Sequence, residues 1–90
     1  MKWLKLDVVG KSSCIECLYF LSDDGRYGID DDPLAIFTVK GTPKFYFTEE
    51  FCPGFRLGTI KKLEVAFKNG ERFIEFDTLE EAKTYYLMLS

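Results

Sequence analysis

The chain has 90 residues, of which 47% are hydrophobic and 17% aromatic, and its formal net charge is −3. This length predicts one domain spanning residues 1–90, and the acidic balance argues against non-specific nucleic-acid binding, which needs a positive surface. Because the sequence has no histidine, a self-contained hydrolase triad is excluded, and we expect that the protein is not an enzyme.

The amino-terminal residues lack the apolar segment of a signal peptide, and no stretch is long enough to cross a membrane. The three cysteines cannot all pair within the chain. We therefore expect a cytoplasmic protein in a reducing compartment, without a membrane partner.

Alternation of apolar and polar residues predicts four short strands in the first half of the chain, over residues 3–9, 14–21, 34–40 and 44–48. The second is almost continuously apolar, which favours a central strand covered on both faces. Residues 26–29, between two aspartate-rich turns, are a further strand candidate.

Residues 49–59 show no regular period and contain Cys52-Pro53-Gly54 together with Phe51, Phe55 and Leu57. We interpret them as a long loop. Long loops in compact domains are often functional.

A β-hairpin is predicted next. Leu63, Val65 and Phe67 alternate with more polar residues, and Asn69-Gly70 suits a two-residue type I′ turn. The two strands of this hairpin would cover residues 62–68 and 71–76.

The carboxyl-terminal residues predict a helix. Thr78 and Glu81 have the spacing of a capping box. Apolar residues follow at helical spacing and should face the sheet. They are Leu79, Ala82, Tyr86 and Leu89.

These elements predict an α+β fold, with an antiparallel sheet of about five to six short strands and one carboxyl-terminal helix packed on a face. A small half-open β-barrel with an appended helix is the alternative.

Two clusters in the sequence are candidate chemical sites. Cys14-x-x-Cys17 resembles half of a zinc or redox site, but Cys52 is the only third thiol and a structural zinc site needs four ligands. We expect buried structural cysteines, with neither metal nor cofactor. The aspartates at positions 23, 24 and 30–32 suit solvated turns, a docking surface for a basic partner, or a cation.

The leading functional hypothesis is a non-catalytic protein–protein interaction module, such as a small regulator or inhibitor of a larger protein. Small accessory proteins of phages and mobile elements have a similar composition, so a viral protein is one form it would take. Arginine and aromatic residues anchor many interfaces. The predicted partner-binding residues are Asp30, Asp31, Asp32, Phe51, Phe55 and Arg56.

The alternative hypothesis is a protein that binds single-stranded nucleic acid or a nucleotide. Residues 33–62 carry five basic and only two acidic side chains, and aromatic rings near lysines provide stacking surfaces. Its predicted contacts are Lys40, Lys44, Tyr46, Lys61 and Lys62, with Lys44 and Tyr46 as an exposed pair. A homodimer formed through an open sheet edge is compatible with either hypothesis.

Overall fold

The computed structural model describes residues 2–8, 10, 12–22, 34–49 and 56–89, and at positions 22, 56 and 57 it describes the backbone alone. These residues form five strands and two helices. In chain order they are β1 (Lys2–Asp7), β2 (Ile15–Ser22), β3 (Ala35–Val39), β4 (Phe45–Thr48), α1 (Arg56–Lys68), β5 (Ile74–Phe76) and α2 (Leu79–Leu89).

The five strands form one open antiparallel sheet in the order β1-β2-β3-β4-β5. The predicted α+β fold is confirmed. The alternative, a half-open barrel, is wrong, because the first and last strands of this order remain the two edges of the sheet.

Each face of the sheet packs against one helix. Side chains on successive strand residues point to opposite faces, so the sheet divides the core into two layers. The α1-side core contains Val8, Ile15, Leu18, Phe20, Ala35, Phe37, Val39, Tyr46, Ile60 and Leu63. The α2-side core contains Leu34, Ile36, Phe47, Ala82 and Tyr86.

Strand β2 is an interior strand, as predicted, because it lies between β1 and β3. Its buried Ile15, Leu18 and Phe20 face α1, whereas Tyr19 and Leu21 on the other face are half-buried. Its pairing with β3 shifts between Ile15 and Cys17, which is the signature of a β-bulge. The extra residue moves Ile15 to the same side as Leu18 and Phe20, rather than to the side predicted by simple alternation.

The predicted hairpin is wrong, because residues 62–68 belong to helix α1 and β5 pairs with β4 instead. In the helix, Ile60, Leu63 and Phe67 face the sheet at a spacing of three and four residues. Val65, which a strand would have buried beside Leu63, is 58% exposed.

Asn69-Gly70 ends helix α1 and does not form a type I′ turn. Gly70 has a φ of 81°, whereas Asn69 does not have a positive φ. The amide of Gly70 donates to the Phe67 carbonyl at 3.1 Å, and that of Glu71 donates to the Ala66 carbonyl at 3.0 Å. This pair of bonds is a Schellman motif, which satisfies two carbonyls at the end of a helix.

The predicted loop over residues 49–59 is too long, because α1 begins at Arg56. Residues 50–55 lie outside the described residues, as does the strand candidate at residues 26–29.

The predicted carboxyl-terminal helix is confirmed as α2. The hydroxyl of Thr78 accepts a hydrogen bond from the Glu81 amide at 3.2 Å, which is the expected amino-terminal cap. Ala82 and Tyr86 are buried against the sheet. Leu89 was predicted on the same face, but it is 47% exposed.

Tyr86 anchors α2 to the sheet. Its ring packs edge-to-face on Trp3 with a centroid distance of 4.8 Å, and its hydroxyl accepts a hydrogen bond from the Leu21 amide at 3.0 Å. That amide lies beyond the last β2–β3 pair, at Tyr19 and Ile36, so the tyrosine replaces the missing strand partner.

Candidate interaction surfaces

The partner-binding residues predicted from the sequence lie largely outside the described part of the chain. Arg56 is the first residue of α1, but only its backbone is described. The partner-binding role of Arg56 and of the other predicted contacts stays a prediction. The others are Asp30, Asp31, Asp32, Phe51 and Phe55, which lie outside the described residues.

Tyr46, predicted to be an exposed stacking residue, is instead only 8% exposed. Its ring stacks on Phe37 at 5.4 Å and meets Phe67 of α1 edge-to-face at 5.6 Å. Burial also raises the pKa of its hydroxyl. A base could reach this ring only if α1 moved away from the sheet.

The four predicted lysine contacts lie on different parts of the surface. Lys44 forms an ion pair with Asp77, whose hydrogen bond raises the pKa of the lysine. Lys40 donates to the Ser12 carbonyl at 3.3 Å. Lys61 and Lys62 are exposed on α1 and border a shallow depression of about 580 Å³.

A second depression, of about 340 Å³, lies on the sheet and includes Lys44. We call it the sheet groove. Lys5 lies over the Tyr19 ring at 5.9 Å from its centroid. The groove is lined by Lys5, Glu16, Cys17, Tyr19, Thr38, Thr42, Pro43, Lys44 and Phe45.

The Tyr19 hydroxyl has its pKa raised to about 12, first by burial and then by a hydrogen bond with Cys17. A phenol is protonated at neutral pH and can donate a hydrogen bond, and the raised pKa extends this protonated state to more alkaline pH. Lys5 is not among the contacts predicted from the sequence, and Tyr19 is predicted only as one of several aromatic residues that could stack on a base. The alternation of residues between the two faces of β1 and β2 was the signal that could have placed Lys5 and Tyr19 together, since they are direct cross-strand partners.

The cysteines of the Cys-x-x-Cys motif lie in different surroundings. Cys14 packs against the α1-side core, whereas Cys17 is buried and its sulfur lies 3.0 Å from the Thr38 hydroxyl oxygen. Both thiols are free. Among the described residues, no three potential ligands form a metal-binding cluster, and Cys52 lies outside them.

Glu64 connects α1 to the turn between β1 and β2 by hydrogen bonds. Its carboxylate accepts hydrogen bonds from the hydroxyl and amide of Ser13 and from Lys68 at 3.0 Å. The Ser13 hydroxyl contributes most to lowering the pKa of Glu64 to about 2. The carboxylate thus stays charged to a lower pH than an ordinary glutamate, and its hydrogen bonds link α1 to this turn.

The last turn of α2 presents apolar side chains to solvent. We call Leu87, Met88 and Leu89 the α2 terminal turn; they are 52%, 76% and 47% exposed. Three consecutive helical residues span roughly 200° of the helix circumference, so they cannot all face the sheet. The sequence signal was this unbroken apolar run directly after Tyr86.

The α2 terminal turn lies near one end of the sheet. Strands β2, β3 and β4 are successively antiparallel, so the end of β2, the start of β3 and the end of β4 are together. The described chain stops there after Ser22, resumes at Leu34 and stops again after Glu49. Tyr86 contacts Leu21 at this same end.

Comparisons with protein-family models, curated proteins and solved structures find no match to this chain. No helix in the described ranges has the length and hydrophobicity needed to span a bilayer. The class that the fold defines is an α+β domain with an open antiparallel sheet between two helices.

Proposed function

We propose that the chain is a non-catalytic protein–protein interaction module that acts as a small regulator or inhibitor of a larger protein. The observation that carries this proposal is the α2 terminal turn, where three consecutive large apolar side chains are exposed. Single exposed apolar residues are common on protein surfaces, but contiguous ones mark interaction sites.

The energetic argument concerns what these side chains gain from a partner. Fully burying a leucine or methionine side chain contributes about 1.5–3 kcal/mol. Met88, at 76% exposed, gains little of this within the monomer. An apolar pocket on a larger protein would recover it, and methionine adapts its shape readily to such a pocket.

The α2 terminal turn lies at the end of the sheet where the described residues that flank the predicted partner contacts are found. Ser22, Leu34 and Glu49 flank the two segments that contain the predicted contacts. Tyr86, immediately before the turn, contacts the sheet at the end where those flanking residues lie. The α2 terminal turn is therefore the part of the proposed contact surface that the described residues carry, and the roles of Asp30, Asp31, Asp32 and Phe51 stay predictions.

The test is affinity capture of a partner, followed by binding measurements with the purified partner. Met88→Asp should weaken binding at least about tenfold, because it places a charge in an apolar contact. Val65→Asp is the matched control: it makes the same kind of change at an exposed helical residue, on the opposite layer of the molecule. Equal binding by wild type and Met88→Asp would contradict the proposal.

Single-stranded nucleic-acid or nucleotide binding is the second candidate, and one observation favours it. The sheet groove brings Lys5 and Lys44 beside Tyr19, which combines positive charge with an aromatic ring. Fluorescence anisotropy with a labelled oligonucleotide should then show affinity that falls with added salt. Lys44→Ala should reduce it, whereas Lys61→Ala, outside the groove, should not. Absent or salt-independent binding would remove this candidate.

A further inference from the structure

Strand β1 is the longer of the two sheet edges. It spans Lys2–Asp7, pairs with β2 on one side, and has no strand on its other side among the described residues. An unpaired edge presents a row of backbone N–H and C=O groups that can accept another strand.

Backbone hydrogen bonds show which residues of β1 point outward. The Val8 amide donates to the Glu16 carbonyl on the β2 side at 3.0 Å. Backbone polar groups alternate in direction along a strand, so those of Leu4 and Leu6 also face β2. The N–H and C=O groups of Trp3, Lys5 and Asp7 therefore point to the open edge.

Strand β2 supports this alternation. The amides of Cys17 and Leu21, whose β1 partners are Asp7 and Trp3, point away from β1. Cys17 donates to the Thr38 hydroxyl at 3.2 Å and Leu21 to the Tyr86 hydroxyl at 3.0 Å.

We propose that a second copy of this chain binds to the β1 edge, so that two sheets join into one across a two-fold axis. In this arrangement Lys5 pairs with Asp7 of the partner subunit, and Asp7 pairs with the partner's Lys5. Leu6 lies next to the axis, opposite the partner's Leu6. The proposal is independent of the α2 terminal turn.

Charge complementarity selects this register. In an antiparallel pair related by a two-fold axis, opposed residues share a face, so the strands can slide only in steps of two residues. A slide of two residues in one direction places Lys5 opposite the partner's Lys5, which is unfavourable. A further slide places Lys5 opposite the partner's Trp3 and leaves Asp7 without an opposed lysine.

Within the described ranges, the backbone of β1 approaches no element other than β2, so its open edge is accessible to a second copy. Lys5 and Asp7 lie 3.8 Å apart on one side of β1, with side chains 55% and 67% exposed. Helix α2 packs over β3, β4 and β5, so it does not cover these two residues. On the other side, Leu4 and Leu6 are half-buried, and Leu4 would lie opposite the partner's Val8.

The first test needs only the wild-type protein. Because two short strands bury less area than a standard interface, we expect a dissociation constant in the micromolar range. Sedimentation equilibrium should show a monomer–dimer equilibrium. The amides of Lys5 and Asp7 should become more protected from hydrogen exchange as the protein concentration rises, whereas those of Leu4 and Leu6, bonded to β2, should change little.

Charge reversals test the register. Lys5→Glu and Asp7→Lys should each raise the dimer dissociation constant at least about tenfold, because two symmetry-related pairs change from attractive to repulsive. The double variant Lys5→Glu/Asp7→Lys should restore dimerisation. Lys2→Glu, with the same charge change outside the paired residues, is the control and should dimerise like wild type.

Far-UV circular dichroism and thermal melting will show that each variant is folded. A wild-type protein that stays monomeric at high concentration would overturn the proposal. So would an Asp7→Lys variant that dimerises normally, or a double variant that fails to recover.

Discussion

Tyr86→Phe removes one hydroxyl from the core while keeping the ring. Tyr86 is 1% exposed, and its hydroxyl accepts the Leu21 amide proton at 3.0 Å. Without this acceptor the amide has no strand partner in β3, and an unsatisfied buried donor costs about 1–3 kcal/mol. Leu21 is half-buried, so we expect the lower part of that range, about 1–2 kcal/mol.

Urea denaturation measures this loss directly. For a domain of this size, 1 kcal/mol lowers the melting temperature by about 4–8 °C, so the thermal midpoint should fall by about 4 °C or more. Hydrogen exchange should identify Leu21 as the amide that loses protection.

Tyr85→Phe is the matched control. Its ring packs on Phe47 at 4.9 Å, and its hydroxyl has no hydrogen-bond partner among the described residues. This substitution should change stability by less than about 0.5 kcal/mol. A Tyr86→Phe protein as stable as the Tyr85→Phe protein would refute the role assigned to the Tyr86 hydroxyl.

Three further predictions concern α1. Gly70→Ala should destabilise the protein by about 1 kcal/mol, because the φ of Gly70 is 81°. Gly58→Ala, where a methyl group would meet open space within the helix, should instead stabilise it by up to about 1 kcal/mol. The midpoints of urea denaturation measure both changes. Leu63→Ala should cost about 2–5 kcal/mol and Val65→Ala little, since they are 3% and 58% exposed; equal losses would contradict the helix. Glu64 stabilises the fold at neutral pH because its pKa is lowered from 4.5 to about 2. The free energy of unfolding of wild type should therefore exceed that of Glu64→Gln at neutral pH, and this excess should shrink as the pH drops from 4.5 toward 2. An excess that does not change with pH would contradict this role.

The strands of the first half were predictable because alternation and turn residues agreed there. Helix α1 was not, because its sequence satisfies two periods. Leu63, Val65 and Phe67 alternate like a strand, while Ile60, Leu63 and Phe67 also follow helical spacing. The structure has the helical spacing, since Ile60 is buried and Val65 is exposed.

The Asn69-Gly70 sequence strengthened the wrong interpretation. A left-handed glycine serves a type I′ turn and a Schellman cap equally well, so the dipeptide does not distinguish a hairpin from the end of a helix. The deciding interaction is distant in sequence: Ile74 and Phe76 pair with Phe47 and Phe45 of β4. No local pattern near residue 70 reports that pairing.

The error in α1 also caused the error at Tyr46. Alternation along β4 correctly places Tyr46 on the face opposite Phe45 and Phe47. Without a predicted helix to cover that face, its aromatic ring was expected to be exposed. Phe67 of α1 covers it, so the nucleic-acid surface expected from residues 40–62 is divided between the sheet and the outside of the helix.

The two proposed surfaces depend on different residues and can be tested separately. The dimer depends on the charges of Lys5 and Asp7 at the β1 edge, whereas partner binding depends on Met88 in the α2 terminal turn. Trp3 of β1 contacts Tyr86, the residue directly before the α2 terminal turn. A dimer that persists in Met88→Asp, together with partner binding that persists in Asp7→Lys, would show that the surfaces act independently. Loss of partner binding in Asp7→Lys with recovery in Lys5→Glu/Asp7→Lys would instead indicate that the larger protein binds the dimer, because the double variant keeps the Asp7→Lys change and restores the pairing across the β1 edge.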